Sequence, residues 1–139
     1  MIKNRFETPY PDGCKGYHAV WDEVAGVYHC KVEAIAFIKS ENLWLEMERE
    51  PDNQYDKNAI KVIGCSKELF GTKKRHIGYV PAEIARVIVE GGFENDVCLL
   101  LAQNEISDGD DPYVHVKYMF VGRSERKKEF EAKEKALRN

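Results

Sequence analysis

The side chains best suited to recognising a ligand lie in one stretch of this 139-residue chain, Glu48-Arg49-Glu50-Pro51-Asp52-Asn53-Gln54-Tyr55-Asp56-Lys57-Asn58. Pro51 fixes its own φ, and Asp52, Asn53, Asp56 and Asn58 can each bond to nearby backbone. The stretch therefore reads as one ordered loop, longer than a hairpin turn. Tyr55 stands in its middle with no apolar neighbour in sequence. A ring held on a stiff polar loop is either a plug for the end of a barrel or a platform for a ligand. On residue types alone both uses stay open, since Asp56 and Asn58 could simply cap the loop while Tyr55 lids the core.

Other chemistries have weaker support. No P-loop, His-Glu-x-x-His, Gly-x-Ser-x-Gly or Cys-x-x-Cys occurs, so no catalytic residue is assigned and the chain reads as a non-enzyme. Glu46, Glu48 and Glu50 fall on one strand face beside Trp44, which fits a solvated face better than a paired acid site. Asp108, Asp110 and Asp111 lack EF-hand spacing. Cys14, His18, His29 and Cys30 form a weak zinc constellation, because the adjacent His29 and Cys30 point to opposite sides of a strand. Buried thiols and surface histidines are the competing reading; no cofactor is expected, and a structural zinc stays open.

The elements that must position the loop follow from periodicity. Residues 17–23 and 28–38 suggest a first strand pair turning at Val24-Ala25-Gly26. Leu43, Leu45 and Met47 alternate with Trp44, Glu46 and Glu48, giving a half-exposed strand. After the Tyr55 loop, Ile60 and Val62 face the core. Residues 64–75 read as a charged connector and residues 76–80 as a short strand. Pro81 suits a helix start, Ile84, Val87 and Ile88 share one face, and Gly91-Gly92 gives the stop. Residues 97–102 are a buried strand, residues 105–112 an acidic turn, and Val114 to Phe120 alternate cleanly. Residues 124–136 read as a helix, solvated or weakly docked. The fold class expected is α+β, mainly β: a small, partly closed antiparallel barrel with one internal and one C-terminal helix. Its expected divisions are an irregular lead-in at 1–16, the barrel at 17–122 and the charged helix at 123–139.

Hydrophobic content of 43% and charged content of 32% are ordinary for one globular domain. No apolar run approaches a membrane span, and the first residues lack the apolar core of a signal peptide. A cytoplasmic location is expected, or a nuclear one in a eukaryote. A net charge of -3 counts against a general nucleic-acid coat.

Arg49 to Val62, followed by Ile77-Gly78-Tyr79-Val80-Pro81-Ala82-Glu83-Ile84-Ala85, resembles the HIRAN domain. In that family Arg-Asp/Glu-Pro-x-Asn-x-Tyr-Asp-x-Asn-Ala-Ile-x-Val precedes a Gly-Tyr/His-hydrophobic-Pro/Lys element and a helix. The two separated elements agree in order and spacing. The resemblance implies an OB-like barrel, related to the N-terminal domain of helicase-like Swi/Snf-type translocases, that grips the free 3′ end of single-stranded DNA. The ATPase motor of such proteins has no counterpart in this sequence.

Single-stranded DNA calls for rings to stack on bases, cations for phosphates and a polar group for the terminus. By the resemblance, Tyr55 stacks, Asp56 accepts from a terminal 3′ hydroxyl, and Asn53 adds a polar contact. Phe37 is the second stacking ring expected, with Lys57, Lys73, Lys74, Arg75, His76 and Tyr79 along the rim. Two departures count against this reading. Ala36-Phe37 stands where DNA-binding members carry Arg-Tyr, and Gly78-Tyr79-Val80-Pro81 replaces Gly-His followed by lysines. The expected partner is single-stranded DNA or its 3′ end in repair or replication, with a helicase or nuclease as a further protein partner. The alternative is a protein-interaction module using an edge strand or the Trp44 face.

Overall fold

A computed structural model describes residues 2–4 and 16–138. Among these residues seven strands form two antiparallel sheets. Strands β1 (Ile2–Asn4), β6 (Val97–Ile106), β7 (Val114–Gly122) and β2 (Gly16–Glu23) lie in that order in the first. Strands β3 (Leu43–Arg49), β4 (Ile60–Glu68) and β5 (Gly71–Tyr79) make the second. Ala25, just beyond β2, bridges to Tyr79 at the end of β5, and β3 runs beside β6. The sheets thus curl towards each other at both margins as a partly closed barrel, the α+β class expected. Among residues 1–16, expected to be irregular, Ile2–Asn4 instead form β1 against Gln103 to Glu105.

Residues 28–38 depart most from the expected strand. Val27–Cys30 form a 3-10 turn and Lys31–Lys39 the helix α1. Ala34, Phe37 and Ile38 are its buried residues, spaced three and four apart. The apparent period of two arose because Ile35 and Ala36 are also partly covered, which blurred the helical stripe. Ser40 ends the helix: its hydroxyl donates to the Ala36 carbonyl at 2.8 Å and its backbone turns extended. Helix α1 lies on the inner face of the second sheet, where Gly64 leaves room for Phe37. A Cβ added there would sit 2.7 Å from the Phe37 ring.

The charged connector expected at 64–75 is instead most of a hairpin, with Cys65 paired to Lys74 and Ser66 to Lys73. Its polar residues sit on an exposed edge strand, which needs no apolar alternation on its outer side. Helix α2 (Ala82–Glu90) follows Pro81 and buries Ile84, Ala85, Val87 and Ile88. Helix α3 (Lys127–Arg138) is firmly docked: Phe130 is fully buried, its ring 5.1 Å from Phe93 and 6.3 Å from Phe120. Arg126 adds an ion pair to Asp96 at 2.5 Å and lies over the Phe93 ring. Among the described residues no helix is long and apolar enough to cross a membrane.

Candidate functional site

The loop between β3 and β4 is built by its own polar side chains. Asn53 Oδ1 accepts from the backbone N–H groups of Tyr55 and Asp56 at 2.9 and 3.0 Å. Its Nδ2 donates to Glu50 Oε1 at 2.5 Å. Asp56 Oδ1 accepts from the Asn58 N–H at 2.9 Å, and Asn58 Nδ2 reaches Glu90 of α2 at 3.2 Å. Arg49 ties the far side, donating to Glu94 at 2.6 Å and to the Lys57 carbonyl at 3.2 Å. These are Asx-type turns that fix the backbone without a ladder.

Two groups are left unused by the loop's own side-chain bonding. Tyr55 is 89% exposed, so it does not lid the core. Asp56 Oδ2 has no partner among the described residues, while Oδ1 holds the turn. Asn53, expected to contact a ligand, has both ends of its amide engaged inside the loop. It fixes the backbone of Tyr55 and Asp56 instead.

Tyr79 anchors the loop to β5. Its hydroxyl donates to Glu50 Oε1 at 2.9 Å, and Lys61 Nζ lies 3.3 Å from Glu50 Oε2. The Asn53 amide, then Tyr79 and Lys61, hold the Glu50 carboxyl below the usual carboxylate range. Burial and the neighbouring Glu50 push the Tyr79 phenol up. A bulge between Val62 and Ile63 shifts the β4–β5 register. His76 and Tyr79, which would otherwise face opposite sides, therefore meet edge to face at 4.9 Å. His76 Nε2–H donates to the Gly78 carbonyl at 2.9 Å. Gly78 itself leaves space for passing backbone, since a Cβ would lie 2.5 Å from the Ala25 carbonyl oxygen.

The structure separates the remaining expected residues. Phe37 is fully buried on α1 against Gly64 and cannot stack on a ligand. Alternation sends Lys74 to the face of Trp44 and Cys65, where it pairs with Glu46 at 2.9 Å. Arg75 goes to the opposite face and pairs with Glu33 of α1 at 2.8 Å. Lys57 and Lys73 are exposed, with no acidic partner among the described residues. Glu46, Met47, Glu48, Ile63, Lys74 and His76 line an open dip of about 190 Å³. That is smaller than a typical small-molecule pocket.

Tyr28 was missed by the sequence reading. It lies in the 3-10 turn just after the Ala25–Tyr79 bridge, 76% exposed, with Lys31 Nζ 5.7 Å from its ring centre. The signal available was Gly26, whose φ of +69° marks a turn immediately before it. Of the weak zinc set, Cys14 lies outside the described residues. His29 is exposed, Cys30 is half-buried, and no group of three metal-ligating side chains occurs among the described residues.

Residues 28–91 match the HIRAN domain family. The span holds the Tyr55 loop, the Gly78-Tyr79 element and α2. The chain is similar in fold to a crystal structure of the HIRAN domain of human HLTF. That match has a TM-score of 0.53 and 18% identity, over 91% of this chain and 94% of that one. A solution structure of the HLTF HIRAN domain in its DNA-bound conformation aligns with a TM-score of 0.46 and 18% identity, over 85% and 86% of the two chains. None of the curated proteins matches the chain significantly. The motif-built loop, the paired glycine and tyrosine on β5 and the helix after them all lie in the stretch from Tyr28 to Gly91 that matches the HIRAN domain family, and the partly closed barrel around them has the fold of a solved HIRAN domain.

Proposed function

We propose that this domain binds single-stranded nucleic acid at a free 3′-hydroxyl end and does so without catalysing a reaction. The observation that carries the reading is an exposed ring, Tyr55, next in sequence to Asp56, one of whose carboxylate oxygens makes no hydrogen bond among the described residues. A carboxylate repels internal phosphates but accepts a hydrogen bond from a terminal hydroxyl, so the pair favours a strand end over its middle. Tyr28 replaces Phe37 as the second ring in this proposal. The HLTF structure described as DNA-bound belongs to the same domain family, which agrees with a nucleic-acid ligand.

Few of the cations expected along the rim are free to meet phosphates. Lys57 and Lys73 are exposed, whereas Lys74 and Arg75 are already neutralised. Affinity should therefore depend only shallowly on salt, with a log–log slope of about -1.4 for two phosphates on a single strand. The Trp44 face offers little to a protein partner, because the indole N–H donates to Glu46, which is itself paired with Lys74. Such a binder belongs in repair or replication beside a helicase or nuclease, in the cytoplasm or a eukaryotic nucleus.

Fluorescence anisotropy with oligonucleotides ending in a 3′ hydroxyl or a 3′ phosphate tests the reading. The hydroxyl form should bind more tightly, and Tyr55→Ala should weaken it by about tenfold, the lower range of one stacked base. Asp56→Asn should erase the preference between ends. Equal and negligible affinity for both oligonucleotides would refute the proposal.

A further inference from the structure

The β4–β5 hairpin ends in Leu69 and Phe70, which are 89% and 95% exposed and consecutive in sequence. Such a pair at a turn is costly in water and supports no core. The last residue pairing of β3 with β4 is Leu43 with Ser66, so the tip projects past the end of the sheet. Lys67 and Lys73 flank it without acidic partners among the described residues, although Lys61, Lys74 and Arg75 farther along the hairpin are all ion-paired. Glu68, the acid nearest the tip, accepts from the Ser66 hydroxyl at 3.0 Å.

The same hairpin leads back to the Tyr55 loop. Strand β5 is an edge strand, and among the described residues its outer side is bridged at Tyr79, by Ala25. From Tyr79 to Phe70 is nine residues, or about 30 Å at strand spacing. That length corresponds to roughly nine stacked nucleotides of one strand.

We infer that Leu69 and Phe70 form a wedge that stacks on the first base pair of a duplex, at the point where a 3′ single-stranded tail leaves it. Apolar side chains inserted at base steps stack on exposed base pairs, while flanking lysines meet the phosphates on either side. Phe70 supplies the flat face, Leu69 fills beside it, and Lys67 and Lys73 straddle the junction. The ligand is thus a tailed duplex rather than a bare strand, with its 3′ terminus at Tyr55 and Asp56. This inference rests on the end-binding reading above.

The test measures affinity for a single strand and for duplexes with 3′ tails of about four and about ten nucleotides, lengths that bracket the span. The wild-type protein should bind the longer-tailed duplex about tenfold more tightly than the single strand, as one stacked pair allows. The shorter tail should bring no gain. The double variant Leu69→Ser, Phe70→Ser should keep its circular dichroism and its single-strand affinity while losing the gain. A gain retained in the double variant would overturn the wedge and leave end binding intact. Loss of all binding by the wild-type protein would overturn both. A wild-type dimer that the double variant renders monomeric, with nucleic-acid affinity unchanged, would make the tip a protein contact and remove the wedge.

Discussion

The Tyr79 hydroxyl and Glu50 Oε1, 2.9 Å apart, join the end of β5 to the base of the Tyr55 loop. The two sequence elements that carry the resemblance, already paired where Lys61 meets Tyr79 and Val62 meets Gly78, are thus joined again by a side-chain bond between residues 29 positions apart. The contact explains why a loop with no ladder of its own can hold a ring outward: its base is clamped by the sheet.

Tyr79→Phe should cost about 1 kcal/mol, the worth of one hydrogen bond. Chemical denaturation checks the figure. The Tyr55 ring signals in an NMR spectrum should also sharpen as the loop gains freedom, while the β4–β5 cross-strand contacts persist.

Phe37 and Gly64 make an opposed pair of tests. Phe37→Ala empties a fully buried position and should cost about 3–5 kcal/mol. Gly64→Ala drives a methyl into the same ring and should cost about 1–3 kcal/mol. Tyr55→Ala, by contrast, should change stability by less than about 0.5 kcal/mol. Urea unfolding of the three variants separates a packing ring from a displayed one.

Acid should loosen the loop through Glu50. Its carboxyl is held below the ordinary value of 4.5 by Asn53, Tyr79 and Lys61. The stabilisation is therefore complete above that value and is lost as pH falls through the lower folded-state one. Glu46, held down by Trp44 and Lys74, and Glu90, held down by Arg86, add losses in the same window. Melting temperature measured from pH 7 down to about 3 should drop below pH 4.5, with a shallower drop in Glu50→Gln.

Phe130→Ala should release α3. The ring fills a site between Phe93 and Phe120, so its loss should cost about 3–5 kcal/mol. Hydrogen exchange in residues 127–138 should accelerate more than in β6 and β7.

What could be read from the sequence was set by how local each signal is. The Tyr55 loop and the start of α2 were legible because Pro51, Asn53, Asp56 and Pro81 act on backbone within a few residues of themselves. The β6 and β7 strands were legible because a buried run and a clean alternation leave few other choices. Helix α1 was not: its Val, Ile and Phe content mimics a strand, and only contact with Gly64 shows which side is covered. The basic run at 73–75 looked like a rim, but a strand sends successive side chains to opposite faces, where Glu46 and Glu33 neutralise two of them. No local pattern could have announced those distant acids. The docking of α3 turned on one residue, Phe130, whose partners lie 37 and 10 positions away.

Cys65 sits at the middle of β4 between the cross-strand neighbours Trp44 and Lys74, fully buried, and burial with Glu46 nearby pushes its thiol up to about 11. Reaction with an alkylating reagent therefore requires the three strands to part first. The labelling rate of this sulfur becomes a built-in clock for breathing of the sheet that carries the hairpin, needing no introduced probe.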